Sequence, residues 1–313
     1  VLRFLLNRTV AMVAMILLVT MAVSLVLTAL PGDAARLVLG PEAPPERYEA
    51  VRQALGLHEP WPLRFFRWLA GACRGDLGFS FRYPGHTVAE ILRRGLAVTL
   101  PLAGLVAFFS FVLGVLLGTL SVSRLGGLLD LLLSMGNQVF LAIPEFWLGI
   151  LLVGFLSLRL HLFPAGGFPG WGEGRAWLHL ALPLCVLALP RVAYFARLSR
   201  AVLADVLFAD FVRTAWAKGL AERAVLFRHT LRPALVPLVA GLGLTFSRLL
   251  AGALVVEQVF SLPGLGGYAV EAAFGRDVPL LLGMSALVTA AVVVASTAAD
   301  LAYGFLDPRI RAS

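Results

Sequence analysis

Apolar residues gather in six long runs, at about 9–30, 96–121, 129–157, 179–199, 233–256 and 279–303. Each is near or above the roughly 20 residues that carry a helix across about 30 Å of hydrocarbon. The runs are continuous, not alternating, and only helices or closed barrels satisfy the backbone in lipid. The pattern therefore predicts an all-α membrane protein with six transmembrane helices. It divides the chain into a first span (1–30), an extramembrane segment (31–95) and a five-helix core (96–313) that contains a polar loop at 200–232.

Two shorter patterns lie in the 31–95 segment. Residues 45–55 predict one helix, and Trp61 to Ala72 predict an amphipathic second one with aromatics beside arginines. Such a stretch suits the membrane interface, where Trp and Arg stems are at home. The 200–232 loop is too polar to span and too patterned for a linker. Asp210 is placed to N-cap a helix from Phe211 to Lys218, and Gly219 suits the position that ends it. A second helix is expected from Ala221 toward Pro233. Phe211, Val212, Ala215 and Trp216 form the apolar face of the first, beside Arg213 and Lys218.

Composition agrees with this reading. The chain is 59% hydrophobic and 14% charged, whereas soluble domains carry about 25% charged residues. The net charge of +8 reads as topology, not as nucleic-acid binding, because cytoplasmic loops of membrane proteins collect Arg and Lys. With the N-terminus inside, the cytoplasmic set is Arg3, Arg8, Arg124, Arg197, Arg200, Arg213, Lys218, Arg223, Arg228, Arg232, Arg309 and Arg311. The short external loops hold Arg159, Arg175 and Arg276. Both termini are thus expected to be cytoplasmic, with 31–95 as an external cap. The first run, at about 22 residues, exceeds the 7–15 of a signal peptide and reads as an uncleaved span.

Three ionisable residues fall inside spans, where they are costly and usually functional: Glu145, Arg191 and Arg248. On straight helices, Glu145 and Arg248 lie about 24 and about 22 Å above the cytoplasmic ends of their spans. They can form a structural pair, or Arg248 can face a pathway and attract a carboxylate. Glu257 closes the fifth span, and Pro263-Gly264 reads as a turn at an external lip. Cys73, Cys185 and the five histidines show no metal-ligand spacing, and Gly126-Gly127 lacks the Lys-Ser/Thr of a phosphate loop.

Asp210-Phe-Val-Arg-Thr-Ala-Trp-Ala-Lys-Gly-Leu resembles the conserved cytoplasmic loop of ABC-importer permeases, in the form found in the dipeptide/oligopeptide/nickel group. The likeness extends along the chain. Leu2-Arg-Phe-Leu-Leu, Pro31-Gly32-Asp33, Leu55-Gly-Leu and Gly75-Asp-Leu-Gly-Phe-Ser-Phe match the opening. Ile143-Pro-Glu-Phe-Trp-Leu-Gly matches the third span. Val256-Glu-Gln-Val-Phe-Ser-Leu-Pro-Gly-Leu-Gly and Asp300-Leu-Ala-Tyr-Gly-Phe-Leu-Asp-Pro-Arg-Ile-Arg match the ending, and the two ends point to the B-type permease. Arg213-Thr-Ala departs from the usual Glu-Ala-Ala, so no salt bridge is expected there.

The resemblance implies a non-catalytic subunit of the cytoplasmic (inner) membrane, of the type I importer fold. It pairs with a homologous second permease and two cytoplasmic ATPases, and an external binding protein delivers peptides. ATP and Mg belong to the ATPase partners, with no cofactor in this chain. Asp210, Phe211, Arg213, Thr214, Ala215, Trp216, Lys218 and Gly219 would form the helix that seats in an ATPase. Members of this type also carry nickel chelates or oligosaccharides, so the cargo stays open. An ion-gradient-driven secondary transporter is the alternative; it would show internal repeats, and the 210–232 loop would have no task in it. A membrane enzyme would want clustered His, Asp or Glu.

Overall fold

The computed structural model of the chain describes residues 2–29, 34–39, 44–54, 56–221 and 224–306. Pro31-Gly32-Asp33, Leu55, Arg223 and the closing Asp307-Pro308-Arg309 with Arg311 lie outside the described residues. Among the described residues the structure is helical, apart from one isolated bridge between Phe79 and Thr87. Five helices are long and apolar enough to cross a membrane, and a bent pair, counted as one span, would bring the number to six. The chain separates into two compact units, Val1–Thr99 with Leu262–Val293, and Leu100–Ser261 with Val294–Ser313.

In the first unit, α1 (Leu2–Ala29) is the first span. Two of its hydroxyls are satisfied within the helix: Thr20 Oγ1 donates to the Ile16 carbonyl at 2.7 Å and Thr28 Oγ1 to that of Ser24 at 2.8 Å. That is how polar side chains are tolerated in lipid. The segment that follows holds α2 (Ala34–Leu39), α3 (Pro45–Ala54) and α4 (Trp61–Ala72). The last two match the amphipathic patterns; the six-residue α2 is too short to leave one. Helix α4 starts behind Pro60 and packs on α1, with Phe65 buried against Trp68.

Helix α5 (Val88–Val122) starts at Val88, well before the expected 96. Thr87 and Glu90 form a reciprocal capping box: the Glu90 N–H donates to Thr87 Oγ1 at 3.3 Å, and the Thr87 N–H to Glu90 Oε2 at 3.4 Å. This Thr-x-x-Glu start satisfies two free amides. Arg93 and Arg94, which interrupt the apolar run, lie on the exposed face, while Val88, Ile91 and Leu92 are buried in a core with Leu265, Ala272, Leu280 and Met284.

The second unit holds the C-terminal part of α5 with α6 (Leu128–Ala142), α7 (Glu145–Leu152), α8 (Ala176–Leu207), α9 (Asp210–Ala217), α10 (Leu231–Gly252) and α11 (Leu254–Val259). Helices α12 (Leu265–Phe274) and most of α13 (Val278–Leu306) belong to the first. The third span is not one straight helix as expected. It breaks at Ile143-Pro144 and turns by 96° between α6 and α7. Proline has no N–H and biases the residue before it toward extended backbone; Ile143 is extended, with φ −77° and ψ 124°. Helix α7 then widens into a π-helical turn, Val153–Arg159.

Helices α5 and α8 touch almost backbone to backbone. A Cβ on Gly114 would lie 2.3 Å from Phe195 Cβ, and one on Gly118 would lie 2.1 Å from Ser199 Oγ. Ser199, fully buried, donates to the Gly114 carbonyl at 3.2 Å. This is small-xxx-small packing, the usual way for membrane helices to approach closely. The motif stands in the sequence and the hydropathy reading passes over it.

Candidate functional site

The candidates of the 200–232 loop form one ordered element. Helix α8 stops at Leu207, Ala209 is extended (φ −69°, ψ 149°), and α9 begins at Asp210. Ala209, not Asp210, is therefore the N-cap residue, and no side chain caps the helix. Asp210 instead occupies the first turn, where its charge favours the helix dipole. Its carboxylate is fully open to solvent, with Arg213 3.7 Å away; an exposed pair of this kind contributes little. Thr214 Oγ1 donates to the Asp210 carbonyl at 2.9 Å.

The end of α9 is strongly specified. Gly219 has φ +73°. Its N–H donates to the Trp216 carbonyl at 2.9 Å, and the Leu220 N–H to that of Ala215 at 3.4 Å. These two bonds make a Schellman turn, which requires a left-handed residue after the helix. The expected helix end is found, one residue earlier at Ala217.

The expected apolar face splits in two. Val212 and Ala215 are buried with Val225, against Val206 and Leu207. Phe211 and Trp216 flank this stripe and are 51% and 43% exposed. Phe208, Leu220 and Phe227 nearby in sequence are exposed as well. So the inner pair seats α9 on its own chain, and the aromatic pair is left over. Beyond Gly219 the chain does not run as a plain helix toward Pro233. It enters a π-helical turn, Val225–Thr230, and continues directly into α10, which contains Pro233. Thr230 Oγ1 bonds the Val225 carbonyl at 3.2 Å, and the wider turn relieves carbonyls that a following proline cannot serve.

The intramembrane charges also regroup. Arg191 Nη1 donates to Glu145 Oε1 at 2.9 Å and to the Leu187 carbonyl at 2.7 Å. Glu145 is the first residue of α7, directly after the break. The equal-depth pairing with Arg248 assumed a straight third span, and the 96° bend removes that assumption. Arg248 is exposed on α10.

A second pair was not singled out from sequence. Asp130, 3% exposed, accepts Arg200 Nε at 2.6 Å and Nη2 at 2.7 Å, a forked contact. It also accepts the Ser121 hydroxyl and the Gly126 N–H, the latter at 2.9 Å. The available signal was an acid at the start of an apolar run, with an arginine near the end of the fourth run to meet it.

Glu257 is fully buried on α11. Pro263 and Gly264 do form a tight turn, with the Gly264 N–H bonded to the Leu262 carbonyl at 2.8 Å. The turn is more than a lip: Gly264 leads into α12, a helix absent from the expectation, whose Leu265 N–H is held by Thr99 Oγ1 at 2.9 Å. Asp277, also buried, ties the 80–83 loop to the start of α13. It accepts the Ser80 hydroxyl, the Arg82 N–H at 3.0 Å and the Leu280 N–H at 3.1 Å. Next to it the Tyr83 hydroxyl donates to Glu271, and burial followed by that carboxylate pushes the phenol well above its usual range. Among the described residues no three His, Cys, Asp or Glu side chains converge as a metal site would require.

Comparison with known proteins places this geometry. Residues 110–312 match the binding-protein-dependent transport system inner membrane component, and residues 1–103 match the N-terminal component of the same systems. A probable peptide ABC transporter permease of Sinorhizobium fredii is 34% identical over 98% of this chain and 99% of its own length. The oligopeptide transport permease AppB of Bacillus subtilis is 34% identical over 98% of both chains. OppB of Haemophilus influenzae is 35% identical over 86% of both. A helical multi-pass architecture and family matches that together cover nearly the whole length lead to one assignment: the chain belongs to the family of binding-protein-dependent transport system inner membrane components, the permeases of ABC importers.

Proposed function

We propose that this permease forms half of a peptide pathway and is driven through α9 by a separate ATPase. The observation that carries the reading is the split face of α9. Val212 and Ala215 fix the helix to its own chain, while Phe211 and Trp216 stand exposed beside Arg213 and Lys218. Exposed aromatics next to cations on a rigid helix are the usual anchors of an interface. The chain's own work is mechanical; ATP and Mg are handled by the partner, and this subunit contributes no catalytic group and no cofactor. A homologous second permease completes the pathway, two ATPases sit on the cytoplasmic side, and an external binding protein delivers cargo. Both termini are cytoplasmic, which puts the basic loop on the ATPase side. Peptides are the favoured cargo because the relatives at 34% identity are named for peptide and oligopeptide transport.

The test is uptake of labelled peptides of two to five residues by vesicles holding the full assembly. Uptake should require ATP and the binding protein together. Uptake by this chain alone, on an ion gradient, would sink the reading.

A further inference from the structure

Helix α6 is held to the protein in an unusual way. It packs along α8, yet its only buried residue is the charged Asp130. The apolar residues Leu131, Leu132, Met135 and Val139 are all more than half exposed. Leu129, Leu133 and Leu141 are half-buried, so the apolar seat of α6 is only partial. The forked contact from Arg200, with Ser121 and the Gly126 N–H completing the carboxylate's shell, adds the one buried and oriented contact on this helix.

Arg200 also lies close to α9. Seven residues of continuous α8 helix, about 10 Å, separate it from Leu207, and Phe208 and Ala209 then lead into α9. Farther along the same helix, Arg191 holds Glu145 at the first residue of α7. One helix therefore grips the broken third span on both sides of its 96° bend.

We infer that Asp130 and Arg200 are positioning residues forming a transmission clamp: they make α6 travel with α8, so that a displacement of α9 reaches the break at Ile143-Pro144. This rests on the reading of α9 as the ATPase seat. A forked guanidinium–carboxylate contact suits the role because its two parallel bonds fix orientation as well as distance.

The test uses the complete transporter in nanodiscs, with spin labels at Met135 on α6 and Leu178 on α8, Cys73 and Cys185 having been replaced by serine. With the clamp intact, the label distance should be narrowly distributed and should shift by less than about 2 Å on vanadate trapping with ATP, as expected of a rigid unit. Arg200→Gln and Asp130→Asn should each broaden it, even without nucleotide, and the double variant should be no broader than either single one. Arg200→Lys, which keeps the charge and loses the fork, should broaden it partly. A wild-type shift beyond about 5 Å, or a narrow distribution in both single variants, overturns the clamp. The readout is independent of cargo, so failure of peptide uptake and failure of the clamp are told apart. Where transport is measured in the same assemblies, the variants should hydrolyse ATP and take up at least tenfold less peptide per ATP than wild type.

Discussion

The 78–90 loop and α9 are both short polar excursions between spans, and they are built in opposite ways. The loop is tied down by a residue far from it in sequence. Its Ser80 hydroxyl and Arg82 N–H converge on the buried carboxylate of Asp277, and a capping box at Thr87 starts the next helix. Helix α9 has no side-chain cap and no close ion pair, and it leaves two aromatics uncovered. A segment whose polar groups find partners within its own unit holds its shape without another subunit. One that spends two side chains on its own chain and leaves two aromatics exposed fits the docking role proposed for it. The difference separates a segment held within its own unit from the one proposed to meet a partner.

The largest expected effect would break the first half of that contrast. Asp277→Ala leaves the Ser80 hydroxyl and the Arg82 and Leu280 N–H groups without their acceptor, so stability should fall by on the order of 3 kcal/mol or more. Thermal unfolding in detergent measures it, and an unchanged midpoint would mean the loop is held by something else. Trp216→Glu attacks the other half. Unfolding should be nearly unchanged, because the side chain is already half in water, while ATPase binding weakens by about 2 kcal/mol, or roughly thirtyfold. Titrating the purified ATPase onto the permease in nanodiscs reads this directly; loss of stability with intact binding would reverse the roles of the two faces. Gly219→Ala places a Cβ at φ +73°, which should cost about 1 kcal/mol locally and raise amide exchange in 210–220 above that of 80–90. The smallest effect is that of Tyr83→Phe. It removes one hydrogen bond to Glu271 and should cost about 1 kcal/mol, with no change in ATPase binding.

Hydropathy found the spans because lipid imposes their length and polarity on the sequence. It found α3 and α4 because amphipathic patterns survive outside the membrane. The end of α9 was legible because Gly219 supplies a backbone state few residues adopt. Other features were hidden for specific reasons. The early start of α5 was masked by Arg93 and Arg94, although Thr87-x-x-Glu90 announced it. Pro144 was in view as part of a family signature, but hydropathy windows average over a bend. The link from Arg200 to Asp130 joins residues 70 positions apart, and no local pattern records it. Which of the four apolar residues of α9 face inward was likewise set by Val206, Leu207 and Val225, which belong to its neighbours.

The break in the third span makes a demand on its surroundings. Where α6 ends and α7 begins, carbonyls and amides lose their helical partners, and Leu148 is the first residue of α7 to bond back, to the Pro144 carbonyl at 3.0 Å. Hydrocarbon offers nothing to such groups, so irregular backbone at this depth is tolerated only against protein or water. The bend therefore marks a place that lipid tails do not solvate and that neighbouring protein or water must cover.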